Sequence, residues 1–162
     1  MLVNENCMKV LFVCLGNICR SPLAEAIFNQ KVLDTGHSQD ISADSCGTAN
    51  YHIGQVPDHR TIEVAHRNNV QIDHLGRQLS GDNFRNYDYI IVMDKSNLYD
   101  TLALKPENSK AEVRLMRDFD PEPGDGEVPD PYYGGEDGFQ QVFNILDRSI
   151  DAFLKRNMTS PA

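Results

Sequence analysis

Strand-like and helical segments alternate along the chain, and this alternation constrains the fold more than any other feature. Short strand-like runs cover residues 9–14, 41–48, 87–94 and 111–116. Helical patterns cover residues 21–36, 57–70, 96–104 and 138–157. Repeated strand–helix–strand units are typical of a parallel sheet with helices on both faces. We therefore predict an α/β fold of three layers, doubly wound around a four-stranded parallel sheet.

The first and last helices have the clearest sequence signals. In the first, Ser21 is the predicted cap, Pro22 suits the first helical position, and Gly36 can end the helix. The last helix carries one apolar stripe, which we expect to lie in the core: Phe139, Val142, Phe143, Leu146, Ile150, Phe153 and Leu154. Residues 117–138 lie between the last strand and this helix, and they predict a loop rich in proline, glycine and acid.

Composition sets the class of protein and its surroundings. The chain has 162 residues, which favours one domain spanning residues 1–162. A net charge of −9 disfavours binding to nucleic acid or to anionic membranes. We find neither a membrane-spanning apolar run nor a signal peptide, and the four cysteines do not form the pattern of a secreted disulfide scaffold. These features predict a cytoplasmic protein.

The segment between the first strand and the first helix, residues 14–20 (the cysteine loop), carries the strongest chemical signal. It lies beyond the carboxyl end of a strand, where open parallel sheets bind ligands. Gly16 and Asn17 tolerate the left-handed backbone of a tight cradle, and the following helix N-terminus favours anions. Arg20 can grip two phosphate oxygens, and the same positive surroundings favour a thiolate at Cys14. Spacing alone leaves open that Cys14 is a small buried side chain, but the context indicates attack on phosphorus.

Four motifs together resemble the low-molecular-weight protein tyrosine phosphatase family. They are VCLGNICRSP at 13–22, SCGT at 45–48, MDKSNL at 93–98 and DPYYG at 130–134. The resemblance extends over nearly the whole chain. It implies a phosphotyrosine phosphatase I-like fold and a cysteine-dependent phosphoric monoester hydrolase that acts through a phosphocysteine intermediate.

The resemblance also implies roles for individual residues. Cys14 corresponds to the nucleophile, Arg20 to the phosphate clamp, and Asp130 to the general acid and base. Without it, nothing distinguishes Asp130 from seven other carboxylates in residues 117–138. The implied substrate-binding residues are Leu15, Gly16, Asn17, Ile18, Cys19, Tyr51, Tyr132 and Tyr133, and the implied supporting residues are Ser21, Ser45 and His74.

Several of these assignments have simpler alternatives. Tyr132 and Tyr133 could serve only in packing, and His74 could be an ordinary surface or hydrogen-bonded histidine. Family members often carry tryptophan near the position of Tyr51, so the tyrosine bears on substrate preference.

The resemblance implies no cofactor and no metal. It implies a monomer that acts on phosphotyrosine proteins, tyrosine kinases being one candidate, with inorganic phosphate as a product inhibitor.

Three other functions compete with this interpretation. A thiol-coupled arsenate reductase would need further cysteines after the third strand, and none follows Cys46. A phosphate-binding module without catalysis would not need both Cys14 and Asp130. A flavodoxin-like domain would carry serine and threonine in its phosphate loop.

Cys19 has no part in the catalytic scheme. It could simply pack beneath the cysteine loop. Family members with this cysteine pair are redox-regulated, so the resemblance implies a second thiol that captures oxidised Cys14 as a disulfide.

Overall fold

The central element is a four-stranded parallel sheet with strand order β2-β1-β3-β4. The computed structural model describes residues 7–133 and 135–158, without the side chains of residues 133, 135 and 136. The strands are β1 Met8–Cys14, β2 Ile41–Gly47, β3 Tyr89–Val92 and β4 Glu112–Leu115. The helices are α1 Arg20–Asp34, α2 His59–Arg67, α3 Asn83–Asn86, α4 Lys95–Leu104 and α5 Gly135–Asn157. The predicted fold class is confirmed.

Alternate side chains of β1 enter two separate cores, as a strand covered on both faces requires. Val10 and Phe12 pack with the helix residues of α1 and α5, whereas Leu11 and Val13 pack with Phe84 of α3 on the other face. All seven residues of the predicted α5 stripe are buried in the first core. The sheet is therefore the middle of three layers.

The strand order places a topological switch point beside β1. Strand β1 pairs with β2 on one side and with β3 on the other, and both ladders are parallel. After β1 the chain forms β2 on one side of β1, and it later forms β3 on the other side. The connections therefore diverge at β1, and a crevice opens at its carboxyl end. Cys14 is the last residue of that strand.

The sequence predicted the C-terminus of α1 correctly but not its N-terminus. Its C-terminus ends as expected: Gly36 has φ of +77°, its N–H donates to Leu33, and the N–H of His37 donates to Val32. At its N-terminus the prediction was wrong. The helix begins at Arg20, the residue before it is Cys19, and no side chain caps it. Ser21 is instead turned toward Cys14, as described below.

The acidic region is more structured than predicted. Short 3-10 turns at Met116–Asp118 and Pro131–Tyr133 enclose an irregular segment, residues 119–130, which we call the acidic loop. Helix α5 begins at Gly135, three residues earlier than expected, and the short α3 was not predicted. Within the described residues, no helix is long and apolar enough to cross a bilayer.

Candidate active site

The cysteine loop rests directly on the end of β2. The N–H of Thr48 donates to the carbonyl of Cys14, and that of Ala49 donates to Leu15, both at 2.9 Å. A Cβ atom on Gly47 would lie 2.7 Å from the carbonyl oxygen of Leu15, so only glycine allows this approach. The loop is therefore held against the sheet by its own backbone.

Asn17 holds the cysteine loop from within. Its φ is +57°, and it is almost fully buried. Its amide nitrogen donates to the hydroxyls of Ser21 at 2.8 Å and Ser45 at 3.0 Å. Its carbonyl oxygen accepts from the backbone N–H of Arg77 at 3.0 Å and from His74 Nε2 at 2.7 Å. Four hydrogen bonds thus maintain an unfavourable backbone conformation.

The thiol of Cys14 faces two potential donors. Ser21 Oγ lies 3.0 Å from Sγ, and the backbone N–H of Asn17 donates to Sγ at 3.3 Å. Both stabilise a negative sulfur, and Sγ also lies close to the uncapped N-terminus of α1, where the helix dipole favours an anion. The arrangement is suited to a thiolate nucleophile.

His74 and Glu25 support this network from the side of β2. His74 Nε2 faces the Asn17 carbonyl, and Nδ1 lies 3.1 Å from Glu25 Oε1, so both ring nitrogens face acceptors. The Ser45 hydroxyl also donates to Glu25 at 2.8 Å. Burial raises the pKa of Glu25, and its bonds to His74 and Ser45 oppose that rise. Ser45 and His74 therefore both hydrogen-bond Asn17.

Arg20 is held by two partners that are distant in sequence. Its Nη1 donates to Asp94 Oδ2 at 2.8 Å and to the carbonyl of Val128 at 3.0 Å. Asp94 also caps α4 by accepting from the N–H of Asn97. Burial alone would lower the pKa of Arg20, but the charges of Cys14 and Asp94 raise it above its usual value. The guanidinium is therefore a fixed cation beside the thiol.

Nine of the predicted site residues line one cavity of about 260 Å³. Cys14 and Arg20 lie in its wall with the loop residues Leu15, Gly16, Ile18 and Cys19, and with Tyr51, His52, Asp130 and Tyr132. Asn17 lies in the buried network and not in the cavity lining. The side chain of Tyr133 lies outside the described part of the structure.

Asp130 and the two aromatic residues lie on the exposed side of this cavity. Asp130 Oδ1 accepts from the backbone N–H of Tyr132 at 3.0 Å, and the carboxyl group remains exposed. Tyr51 and Tyr132 are 68% and 57% exposed, so neither is buried in the core. The guanidinium of Arg60 lies over the Tyr132 ring. An acid and two aromatic rings thus surround the entrance above the thiol.

Cys19 differs from Cys14 in its surroundings. Burial raises the pKa of its thiol to about 12, and the hydroxyl of Thr61 opposes that rise. All four cysteines are free thiols. At neutral pH, Cys19 is therefore protonated and is not the nucleophile.

One group in the described residues has the spacing of a metal site: Glu25, Asp44 and His74. Arg77 lies 3.1 Å from Asp44, and Asn17 occupies the second ring nitrogen of His74. The neighbouring cation disfavours a metal ion, and the group already forms the support of Asn17.

Several residues of the site were missed by sequence reasoning. Asp94 carries a recognisable signal, since an aspartate between a strand and a helix is a typical cap. The Val128 carbonyl, Glu25, Arg77 and His52 carry no such signal. Each reaches the site through contacts between distant parts of the chain.

The comparisons with known proteins agree with this geometry. Residues 9–160 match the family model described as low molecular weight phosphotyrosine protein phosphatase. The Schizosaccharomyces pombe protein of that name is 47% identical, covering 91% of this chain and 96% of the relative.

Two solved structures place the chain in the same structural group. The Entamoeba histolytica protein tyrosine phosphatase, with Hepes in its active site, is 41% identical with a TM-score of 0.88, covering 95% of this chain and 99% of that one. The Drosophila arginine phosphatase is 32% identical with a TM-score of 0.87, covering 95% and 100%. The chain therefore belongs to the low molecular weight phosphotyrosine protein phosphatase family.

Proposed function

We propose that this chain is a protein tyrosine phosphatase that hydrolyses phosphotyrosine and small aryl phosphates through a phosphocysteine intermediate. Cys14 is the nucleophile, Arg20 clamps the phosphate, and Asp130 is the general acid and base, with residues 1–162 forming one catalytic domain. The observation that carries the proposal is that these three side chains line a single cavity.

Phosphate binds above Cys14, between the N-terminus of α1 and Arg20. The uncapped helix end supplies positive potential. Because Asp94 and Val128 engage only Nη1 of Arg20, Nε and Nη2 have no protein acceptor among the described residues. These two nitrogens form the fork that grips two phosphate oxygens.

In the first step, the Cys14 thiolate attacks phosphorus and the bond to the phenolic oxygen breaks. Asp130 donates its proton to that oxygen, so that a neutral phenol leaves. Arg20 stabilises the charge that builds on the equatorial oxygens. The hydroxyl of Ser21 and the N–H of Asn17 hold the sulfur in place before the attack.

In the second step, water attacks the phosphocysteine. The Asp130 carboxylate takes a proton from the water as the sulfur–phosphorus bond breaks. Inorganic phosphate and the Cys14 thiolate are the products, and Asp130 has recovered its proton. Phosphate is therefore a competitive inhibitor, because the cysteine loop binds the product in the same cradle.

Tyr51 and Tyr132 form the walls against which the substrate ring packs, and Leu15 and Ile18 add apolar surface. Aromatic rings gain from stacking and edge contacts beyond the area they bury. Phosphoserine is too short to reach the thiolate and still fill the space between the walls.

The composition of the chain bears on its surroundings and partners. Free thiols suit a reducing compartment, and the net charge of −9 opposes binding to nucleic acid. We place the enzyme in the cytoplasm as a monomer that acts on phosphotyrosine proteins.

Hydrolysis of matched peptides containing phosphotyrosine, phosphoserine or phosphoarginine tests the proposal. The wild type should hydrolyse the phosphotyrosine peptide far faster than the others, with full activity in excess EDTA, and rapid quenching should trap phosphate on Cys14. Cys14→Ser should abolish turnover. The matched variant Cys7→Ser, at the residue just before β1, should not. Faster hydrolysis of phosphoarginine would contradict the substrate class, and an active Cys14→Ser enzyme would contradict the mechanism.

A further inference from the structure

The guanidinium of Arg117 is enclosed by the acidic loop. Nε donates to Asp120 Oδ2 at 3.0 Å, Nη1 donates to the carbonyl of Glu127 at 3.0 Å, and Nη2 donates to the carbonyl of Glu122 at 2.6 Å. The side chain is only 11% exposed. One side chain thus binds the beginning, the middle and the end of a loop that has no helix or strand of its own.

Asp120 and Gly124 allow the acidic loop to pack closely around the Arg117 guanidinium. The Asp120 carboxylate is fully buried and also accepts from Arg148 of α5, at 2.7 and 3.0 Å. Gly124 has φ of +55°, and a Cβ there would lie 3.2 Å from Arg117 Nη2. The loop therefore wraps closely around Arg117 and is anchored to α5 through Asp120.

The end of the loop that Arg117 holds is also the end that meets the active site. Glu127, whose carbonyl Arg117 binds, accepts from the N–H of Lys95 through its carboxylate at 2.8 Å. The next residue, Val128, donates to the carbonyl of Met93 at 2.8 Å and accepts from Arg20 at 3.0 Å. Asp130 follows two residues later and reaches the cavity that contains Cys14.

We propose that Arg117 is a positioning residue for the reaction, which acts by holding the acidic loop so that Asp130 reaches the leaving oxygen. The proposal rests on the general-acid role proposed for Asp130. Without Arg117, the carbonyls of Glu122 and Glu127 lose a charged donor, and the loop loses the group around which it folds. A displacement of about 1 Å at a catalytic group can cost about 10²-fold in rate.

This role predicts a defect that depends on the leaving group. Phenyl phosphate has a poor leaving group and needs a proton from the acid, whereas p-nitrophenyl phosphate has a good leaving group and needs it much less. Arg117→Met should lower kcat/KM for phenyl phosphate by about 10- to 100-fold and for p-nitrophenyl phosphate by only about 3-fold. The inhibition constant for inorganic phosphate should change little, because Arg20 keeps its bond to Asp94 and Cys14 keeps its contacts with Ser21 and Asn17, all of which lie outside the acidic loop.

Arg114→Met is the matched control. Arg114 lies three residues earlier, on β4, and pairs with Glu112 and Asp118 outside the acidic loop. Its guanidinium also lies over the Phe119 ring at the first position of that loop, but among the described residues it donates to none of the loop's carbonyls or carboxylates. Arg114→Met should change kcat/KM by the same factor for phenyl phosphate and for p-nitrophenyl phosphate. Arg117→Lys keeps the charge but loses the fork that reaches three acceptors, so it should show a smaller defect with the same dependence on the leaving group. If Arg117→Met does not fold, Arg117→Lys tests the proposal instead, through the ratio of its loss in kcat/KM on phenyl phosphate to its loss on p-nitrophenyl phosphate.

A double-mutant cycle with Asp130→Asn separates positioning from general destabilisation. If Arg117 acts through Asp130, adding Arg117→Met to Asp130→Asn should cause little further loss on phenyl phosphate. Equal losses on both substrates, or additive losses in the double variant, would overturn the proposal. If Asp130→Asn alone shows no dependence on the leaving group, it is the assignment of the acid that fails, and the proposal for Arg117 fails with it.

Discussion

The cysteine loop and the acidic loop both bring reactive groups into one cavity, but they are held in different ways. In the cysteine loop, Cys14, Asn17 and Arg20 are at most 4% exposed, and the hydrogen bonds of Asn17 lie inside the protein. In the acidic loop, residues 121–125 and Asp130 are exposed, and the loop is held largely by Arg117 from the turn before it.

The difference separates two parts of the chemistry. The proposed nucleophile and phosphate clamp belong to a buried network, so they are organised before substrate arrives. The proposed proton donor, Asp130, is exposed at the end of a loop whose residues 121–125 are also exposed, and exposed segments are where local stability is lowest. Substitutions in the cysteine loop should abolish the reaction at phosphorus. Substitutions in the acidic loop should slow mainly the hydrolysis of substrates whose leaving group needs a proton.

The largest effect is expected for the buried region. Arg20→Lys should lower kcat/KM at least about 10³-fold for every aryl phosphate, whatever the leaving group, because an ammonium cannot supply the bidentate fork. Steady-state kinetics with a series of substituted phenyl phosphates would measure this. The exposed Arg85 offers a matched control as Arg85→Lys, which should behave like the wild type. A defect confined to substrates with poor leaving groups would contradict the proposal that Arg20 acts at phosphorus and not through the proton donor.

Asp130→Asn should give a large effect that depends on the leaving group. We expect a loss of about 10² to 10³-fold on phenyl phosphate and a much smaller loss on p-nitrophenyl phosphate. Asp125→Asn, at the exposed tip of the same loop, is the control. If Asp130→Asn equals the wild type on both substrates, another carboxylate is the acid.

Asp120→Asn should affect stability, because it removes the charge between Arg117 and Arg148. Burial would raise the pKa of Asp120, but hydrogen bonds and charge from Arg148, with Arg117, lower it. A lowered pKa contributes stability above the ordinary value of about 3.9, and this stability is lost as pH falls through the folded-state value. Urea unfolding at pH 7 should show a loss of about 2 kcal/mol.

The same measurement at low pH is the control for this prediction. As Asp120 becomes protonated in the wild type, the difference between wild type and Asp120→Asn should shrink. A difference that stays constant down to pH values below the lowered pKa would show that the carboxylate charge does not anchor the loop.

The smallest effect concerns Cys19, at the edge of the buried region. The resemblance implies that peroxide oxidises the Cys14 thiolate to a sulfenic acid with release of hydroxide, and that the Cys19 thiol then forms a disulfide with it and releases water. Wild type treated with peroxide should recover its activity in dithiothreitol, and Cys19→Ser should recover a smaller fraction of its own starting activity. Phosphate should protect both. Equal recovery would show that Cys19 only packs beneath the loop.

Local sequence signals were sufficient for most of the fold. Strand β1 was predicted because residues 9–14 form a short apolar run, and β3 because residues 87–94 are rich in β-branched residues. The α5 stripe was predicted because its spacing follows the helical period. The errors arose where tertiary contacts override local preference. Ser21 looks like a helix cap, yet its hydroxyl hydrogen-bonds Asn17 and lies beside the Cys14 sulfur, and the helix begins one residue earlier.

The sequence by itself determined the fold class and the cysteine loop, because a strand, a turn and a helix that follow one another are governed by nearby residues. Cys14 and Arg20 are six positions apart and lie on the same loop. What only the tertiary structure decided is which distant groups complete the site. Asp94 and Val128 meet Arg20 across 74 and 108 residues of chain, and Asp130 reaches the same cavity as Cys14. Such contacts depend on how the sheet orders its strands and how the acidic loop folds around Arg117, and no local pattern encodes either.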